Sequence, residues 1–202
     1  MQEDILAHEH RMDPTLLVMP WGTFYWRTDN EWVDGTHNAS AWETYVARDV
    51  VKGVDQRFRT IANGDARAIG GVSEGGYAAL NIAIHHPGEF RVVEGFLPYT
   101  LADRTQSQVF GGQQRRIRYN SPLLTVGQAS DPLRRAQTFF WMLMASKDPL
   151  RRQTFDFAAE LQRLHILHQL IVGIGTHQWA FIRPYVRTAL ITMSEHLSHE
   201  SA

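Results

Sequence analysis

Residues Gly71-Val72-Ser73-Glu74-Gly75-Gly76 spell G-x-S-x-G-G. The pattern directly follows an apolar run, residues 66–72 (ARAIGGV), and directly precedes a helical run, residues 77–86. A strand that turns this sharply into a helix holds a serine hydroxyl at the tip of a sheet, on a strained backbone beside a helix N-terminus. Gly71 and Gly75 are expected to remove side chains that would collide with the turn. The backbone N–H of Glu74 then points where an oxyanion would form on an attacked carbonyl. The competing reading is a glycine-rich strand–helix turn of a nucleotide site, but the stretch has no lysine to meet a phosphate.

A serine hydroxyl needs a base, and the base needs an acid to orient it. Strand–turn–helix nucleophiles of this type take their partners in the chain order Ser, Asp or Glu, His. Asp148, in Ala145-Ser146-Lys147-Asp148-Pro149, follows the apolar run 138–146 (TFFWMLMAS). His177, in Gly175-Thr176-His177-Gln178-Trp179, follows the run 169–174 (QLIVGI). All three candidates thus lie just past strand-like runs, at one rim of a parallel sheet. Among the 10 histidines, His85, His86, His165 and His168 lie on or just after helices and read as structural or exposed. Asp131, Asp156 and Glu160 rival Asp148, which itself would serve as a plain helix cap before Pro149. Asp156 and Glu160 fall within a helix and Asp131 precedes its strand, so Asp148 leads.

The elements that must position these groups alternate. Residues 15–19 (TLLVM), 66–72, 91–97 (RVVEGFL), 138–146 and 169–174 are short, nearly continuous apolar runs, as strands covered on both faces should be. Between them fall helical patterns. Val46, Val50, Val54 and Phe58 share one face, residues 77–86 are apolar nearly all round and stop at Pro87, and Phe157, Leu161 and Leu164 form a stripe. Val186, Leu190, Met193 and Leu197 form another near the C-terminus. The expectation is an α/β protein, a mostly parallel sheet of about five strands flanked by helices. Residues 21–42 and 102–137 break this rhythm. Loops past strand C-termini line the crevice of an open sheet, so the first is expected to shape a pocket and the second to form a cap. Trp21, Trp26 and Trp179, with Phe24, Tyr25 and Trp32, are the candidates for an apolar acyl or aryl wall. Taken singly, each also fits ordinary packing.

Composition sets the outer bounds. The chain has 202 residues, 44% hydrophobic and 20% charged, which suits one globular domain over residues 1–202. Its 20 basic and 21 acidic residues leave a net charge of -1, so there is no excess positive charge to hold nucleic acid. Without cysteine there is no disulfide, thiolate metal site or cysteine nucleophile. The longest strongly apolar run, 139–145, is far short of the ~20 residues a bilayer demands. The start, MQEDILAHEHRMDP, lacks the basic, apolar and small-residue regions of a signal peptide, which makes the cytoplasm the default expectation. Asn38-Ala39-Ser40 fits a glycosylation acceptor and carries little weight. Oligomeric state is not legible.

Several blocks together resemble the esterase D/antigen 85-type family of α/β-hydrolases. They are Val18-Met19-Pro20-Trp21-Gly22, Trp42-Glu43-Thr44-Tyr45 with Asp49 and Val54-Asp55, and residues 67–80 around the elbow. Asn120-Ser121-Pro122, Lys147-Asp148-Pro149 and Gly175-Thr176-His177-Gln178-Trp179 complete the set. The resemblance implies an α/β-hydrolase fold and cleavage of carboxylic esters, or transfer of their acyl group, on small-molecule substrates and without a metal or organic cofactor. It also implies Ser73 as nucleophile, His177 as base and Asp148 as orienting acid. Glu74 departs from the Met or Gln often found there, which makes the pocket wall more acidic. In the family a further strand and glycine loop, the source of a second oxyanion N–H, precede the helix that leads to Val18-Met19-Pro20. Only 14 residues precede Thr15 here, and they read as that helix. The expectation is therefore a fold lacking its N-terminal strands, in a fragment or in a chain with a substitute donor. The loop from Trp21 is one source for it. Three functional readings follow: an ester hydrolase, an acyltransferase on the same triad, and a hydrolase-like domain weak or inactive for want of part of the oxyanion hole.

Overall fold

The structure, a computed structural model, describes residues 2–22, 30–35, 41–102 and 107–198. It opens on α1 (Gln2–His8), followed by a continuous helical run: α2 (Trp42–Thr44), a π-helical segment (Tyr45–Val50) and α3 (Val51–Arg57). Then come β1 (Ala68–Val72), α4 (Glu74–His85) and β2 (Val92–Phe96). Four short helices follow, α5 (Ser107–Phe110), α6 (Gln114–Tyr119), α7 (Pro122–Thr125) and α8 (Ser130–Arg135). The chain ends with β3 (Phe139–Ala145), α9 (Arg151–Arg163), β4 (His168–Gly173), α10 (Trp179–Ile182) and α11 (Val186–His196). The strands form one parallel sheet in the order β1-β2-β3-β4, so all four C-terminal ends share one rim. The fold is an α/β-hydrolase fold.

The continuous apolar character of the strand runs has its cause in this layering. Every residue of β3 is buried. Phe140 and Met142 pack on one face with Leu80 and Ile84 of α4 and Phe157 and Leu161 of α9. Phe139, Trp141 and Leu143 pack on the other with Leu6 of α1 and Ala189 and Met193 of α11. Full burial of a side chain of this size contributes roughly 1.5–3 kcal/mol. The helix α4 is buried on nearly every side, Gly76 through Ile84, as its sequence requires.

Two expectations need correction. Four strands, not about five, are present among the described residues, and Thr15 to Met19 pairs with none of them. Leu16, Leu17, Val18 and Met19 are exposed. Its flanks are tied by the Asp13 N–H donating to Ser194 Oγ (3.1 Å) and by the Asn30 side chain donating to the Gly22 carbonyl. Strand-forming composition makes no strand without a neighbouring edge to complete its hydrogen bonds. The stripe Val46, Val50, Val54 and Phe58 is not the buried face of its helix either. Glu43 and Ala47 are buried, and Phe58 is exposed. A four-residue repeat assumes uniform α-helix, and the π segment breaks that register. The described part of residues 102–137, the expected cap, holds α5 to α8. Phe110 and Ile117 pack there against Tyr77 of α4 and Val33, a cluster of their own away from the sheet faces.

One buried charge is fully engaged. The Glu43 carboxylate meets His85 Nδ1 at 3.0 Å and His86 Nε2 at 3.0 Å, while His85 Nε2 faces the Tyr119 carbonyl, also at 3.0 Å. Burial alone would push the Glu43 pKa up, but the two histidines outweigh it and bring it down to about 2. These histidines are structural, as their helical positions indicate.

Glu94 is the opposite case. It sits in mid-strand between Gly70 of β1 and Trp141 of β3 and is nine-tenths buried. Neither Glu94 Oε1 nor the Trp141 indole N–H has a hydrogen-bond partner among the described residues. Burial raises the Glu94 pKa to about 7. A raised folded-state pKa gives stability that is complete below the unfolded value near 4.5 and lost as pH climbs through 7. Glu94→Gln should therefore gain on the wild type between pH 5 and pH 8, by about 3 kcal/mol at ~1.4 kcal/mol per pKa unit. Urea unfolding at both pH values measures this, and an equal difference at the two would contradict it.

Candidate active site

Each rim position is set by the strand before it. Ser73 follows β1 with φ 55° and ψ −112°, a left-handed backbone rare outside glycine. The conformation is held from both sides. The Ser73 N–H donates to the Phe96 carbonyl at 2.8 Å, and the Ser73 carbonyl accepts the Tyr77 N–H at 2.9 Å. A Cβ at Gly71 would lie 2.4 Å from the Gly75 backbone, so Gly71 is indispensable. The expected role of Gly75 needs revision, because a Cβ there meets nothing within 4 Å. The second close approach belongs to Gly76, whose added Cβ would stand 3.0 Å from the Gly71 carbonyl and 3.2 Å from Pro98. Glu74 is the first residue of α4, where amides have no partner within the helix.

Asp148 lies three residues past β3 and is fully buried. Its Oδ1 accepts the Leu150 N–H at 2.8 Å, and its Oδ2 lies 2.7 Å from His177 Nδ1. His177, four residues past β4 and one-third exposed, places Nε2 2.9 Å from Ser73 Oγ. The carboxylate can only accept, so Nδ1 carries the proton and Nε2 is left free to accept from the serine hydroxyl. The structure thus brings together Ser73, His177 and Asp148, three residues from three strand ends. The rival Asp131 instead pairs with Arg134, Asp156 with Arg152 and Glu160 with Arg163.

The other candidates are placed less closely. Trp179 opens α10 two residues beyond His177 and is 62% exposed, and Trp21 is 74% exposed. Trp26, Phe24, Tyr25 and the tripeptide Asn38-Ala39-Ser40 lie outside the described residues, as does most of the loop from Trp21, named above as one source of a substitute oxyanion donor. Among the described residues no group of three or more His, Asp or Glu gathers as a metal site, and no helix is long and apolar enough to cross a membrane. Sequence reasoning missed the loop after β2, residues 97–102, which stands on the same rim between the serine and the acid.

Comparison with known proteins bears on the fold and the family. An uncharacterized protein of Corynebacterium glutamicum is 34% identical over 97 residues, 46% of this chain and 23% of that protein, so the match spans about a quarter of the curated relative. A ferulic acid esterase superposes with a TM-score of 0.81 at 18% identity, over 98% of this chain and 76% of its own. A substrate-bound fluorophosphonate-binding serine hydrolase of Staphylococcus aureus gives 0.72 at 18% identity, over 82% and 68%. The family described as "Putative esterase" matches residues 2–195. With that match over nearly its whole length, on an α/β-hydrolase fold, the chain belongs to this esterase family.

Proposed function

We propose that the protein is a serine hydrolase that cleaves small carboxylic esters through Ser73, His177 and Asp148. The observation that carries this reading is the unbroken hydrogen-bonded line from the buried Asp148 carboxylate through the His177 ring to Ser73 Oγ, 2.7 Å and 2.9 Å long. Ester cleavage then proceeds in two steps. His177 Nε2 takes the hydroxyl proton as Ser73 Oγ bonds to the ester carbon. The Glu74 N–H stabilises the oxyanion, and the carbonyl re-forms as the alkoxide departs with the proton from His177. Water, deprotonated by the same ring, attacks the acyl-serine and releases the acid. Asp148 holds the ring in the tautomer both steps need. Trp179, exposed beside His177, and Trp21 are the residues proposed to face the substrate's apolar part.

A fluorophosphonate probe tests the reading directly, since it reacts with an activated serine and not with an ordinary one. Intact-mass and peptide analysis should find a single adduct, on Ser73, and His177→Ala should slow its formation by about 10²-fold or more. Absence of labelling, or labelling that ignores the histidine, would remove the ground for catalysis.

A further inference from the structure

Of the four strand ends on the active rim, three carry the proposed triad and the fourth, the loop after β2, has no assigned part. That loop is unusually constrained. It starts with Leu97 at φ 53°, whose N–H donates to the Leu143 carbonyl at 2.8 Å. Pro98 packs where a Cβ on Gly76 or Gly95 would stand, 3.2 Å and 3.0 Å away. Tyr99 stacks on Tyr77 of α4, ring centroids 4.4 Å apart. Its far end is fixed from α9. The Gln153 carboxamide oxygen accepts the Thr100 N–H at 2.7 Å and the Leu101 N–H at 2.8 Å, and the Gln153 backbone carbonyl accepts the Thr100 hydroxyl at 2.9 Å. The adjoining Thr154 hydroxyl donates to the Pro98 carbonyl at 2.9 Å. Thr100 and Thr154 are fully buried, while Leu101 is 37% exposed.

Two successive backbone N–H groups gathered on one side-chain oxygen fix a loop's path, because both donors then depend on a single group. α9 begins three residues past Asp148, so the same helix anchors the acid's turn and the loop beside the serine. We propose that Gln153 is a positioning residue that holds residues 97–102 as the fixed wall of the ester site, with Leu101 as the side chain that meets the substrate beyond its reacting carbonyl. This rests on the Ser73–His177–Asp148 reading of the rim. Gln153 touches no reacting atom; it acts through the loop.

The test is substrate selectivity. Relative kcat/KM is measured for p-nitrophenyl acetate, butyrate and octanoate, and for methyl, phenyl and naphthyl acetate. Gln153→Leu keeps the side chain's bulk and removes the acceptor, and it should change the ratio within at least one series by about tenfold or more, the scale on which a pocket senses misfit. Gln153→Glu supplies an acceptor of the same reach and should restore the wild-type ratios within about twofold. A loss of fold alone lowers every rate together and leaves the ratios in place. Should Gln153→Leu be insoluble, Leu101→Ala, at an exposed position, must shift the same ratios. The inference is overturned if neither series moves beyond twofold, or if the Glu variant behaves as the Leu variant does. Fluorophosphonate labelling of Ser73 runs alongside: its loss in the wild-type protein defeats the triad reading, whereas labelling with unchanged selectivity defeats only the role of Gln153.

Discussion

Ser73→Ala should lower the turnover of p-nitrophenyl acetate by at least about 10⁴-fold while the protein stays folded. The size follows from what the hydroxyl does. Without Oγ there is no acyl-enzyme, and hydrolysis must proceed by direct attack of water on a bound ester. What survives is binding and the oxyanion contact of the Glu74 amide. The fold should tolerate the change for a local reason. The strained φ of 55° at this position is imposed by Gly71, Gly76 and the bonds to Phe96 and Tyr77, none of which involves the serine side chain. Alanine takes up the same backbone, and a thermal melt should stay within a few degrees of wild type. Wild-type turnover in this variant would mean that the hydrolysis occurs elsewhere on the molecule.

Asp148→Asn has the second largest expected effect, a fall in kcat of about 10⁴-fold. The exchange is nearly isosteric, and the asparagine carbonyl can still accept the Leu150 N–H that Oδ1 holds at 2.8 Å. Its NH₂ group must then face His177 Nδ1, where Oδ2 now lies 2.7 Å away. A donor there turns Nδ1 into an acceptor and moves the ring proton to Nε2. That nitrogen, 2.9 Å from Ser73 Oγ, then has no lone pair to offer the hydroxyl. The loss should therefore appear in kcat and hardly in KM, with the fold and substrate binding preserved. A fall of less than tenfold would show that Asp148 is a helix cap with no part in the reaction, the role its position before Pro149 also suits.

The amino-acid sequence determined which residues form the candidate site and the general architecture, for reasons that are local. G-x-S-x-G-G needs no tertiary information to be read as a strand–turn–helix, since the steric demand of the turn falls on neighbouring residues. The apolar runs around Phe139–Ala145 and His168–Gly173 announce strands covered on both faces, and in a parallel sheet the residues after such strands must share one rim. That put Ser73, Asp148 and His177 together before any distance was known. The tertiary structure decided whatever depends on a partner remote in the chain. Residues 15 to 19 have the composition of a strand but meet no edge. Glu43 becomes a buried, paired carboxylate only because His85 and His86 close on it. Glu94, one polar letter in an apolar run, becomes a buried acid only because β1 and β3 enclose it. The post-β2 loop carries no periodic pattern, and its two N–H groups are fixed by Gln153, more than fifty residues away. Local sterics and periodicity are written into short stretches of sequence, whereas a hydrogen bond between distant residues exists only once the whole chain has packed.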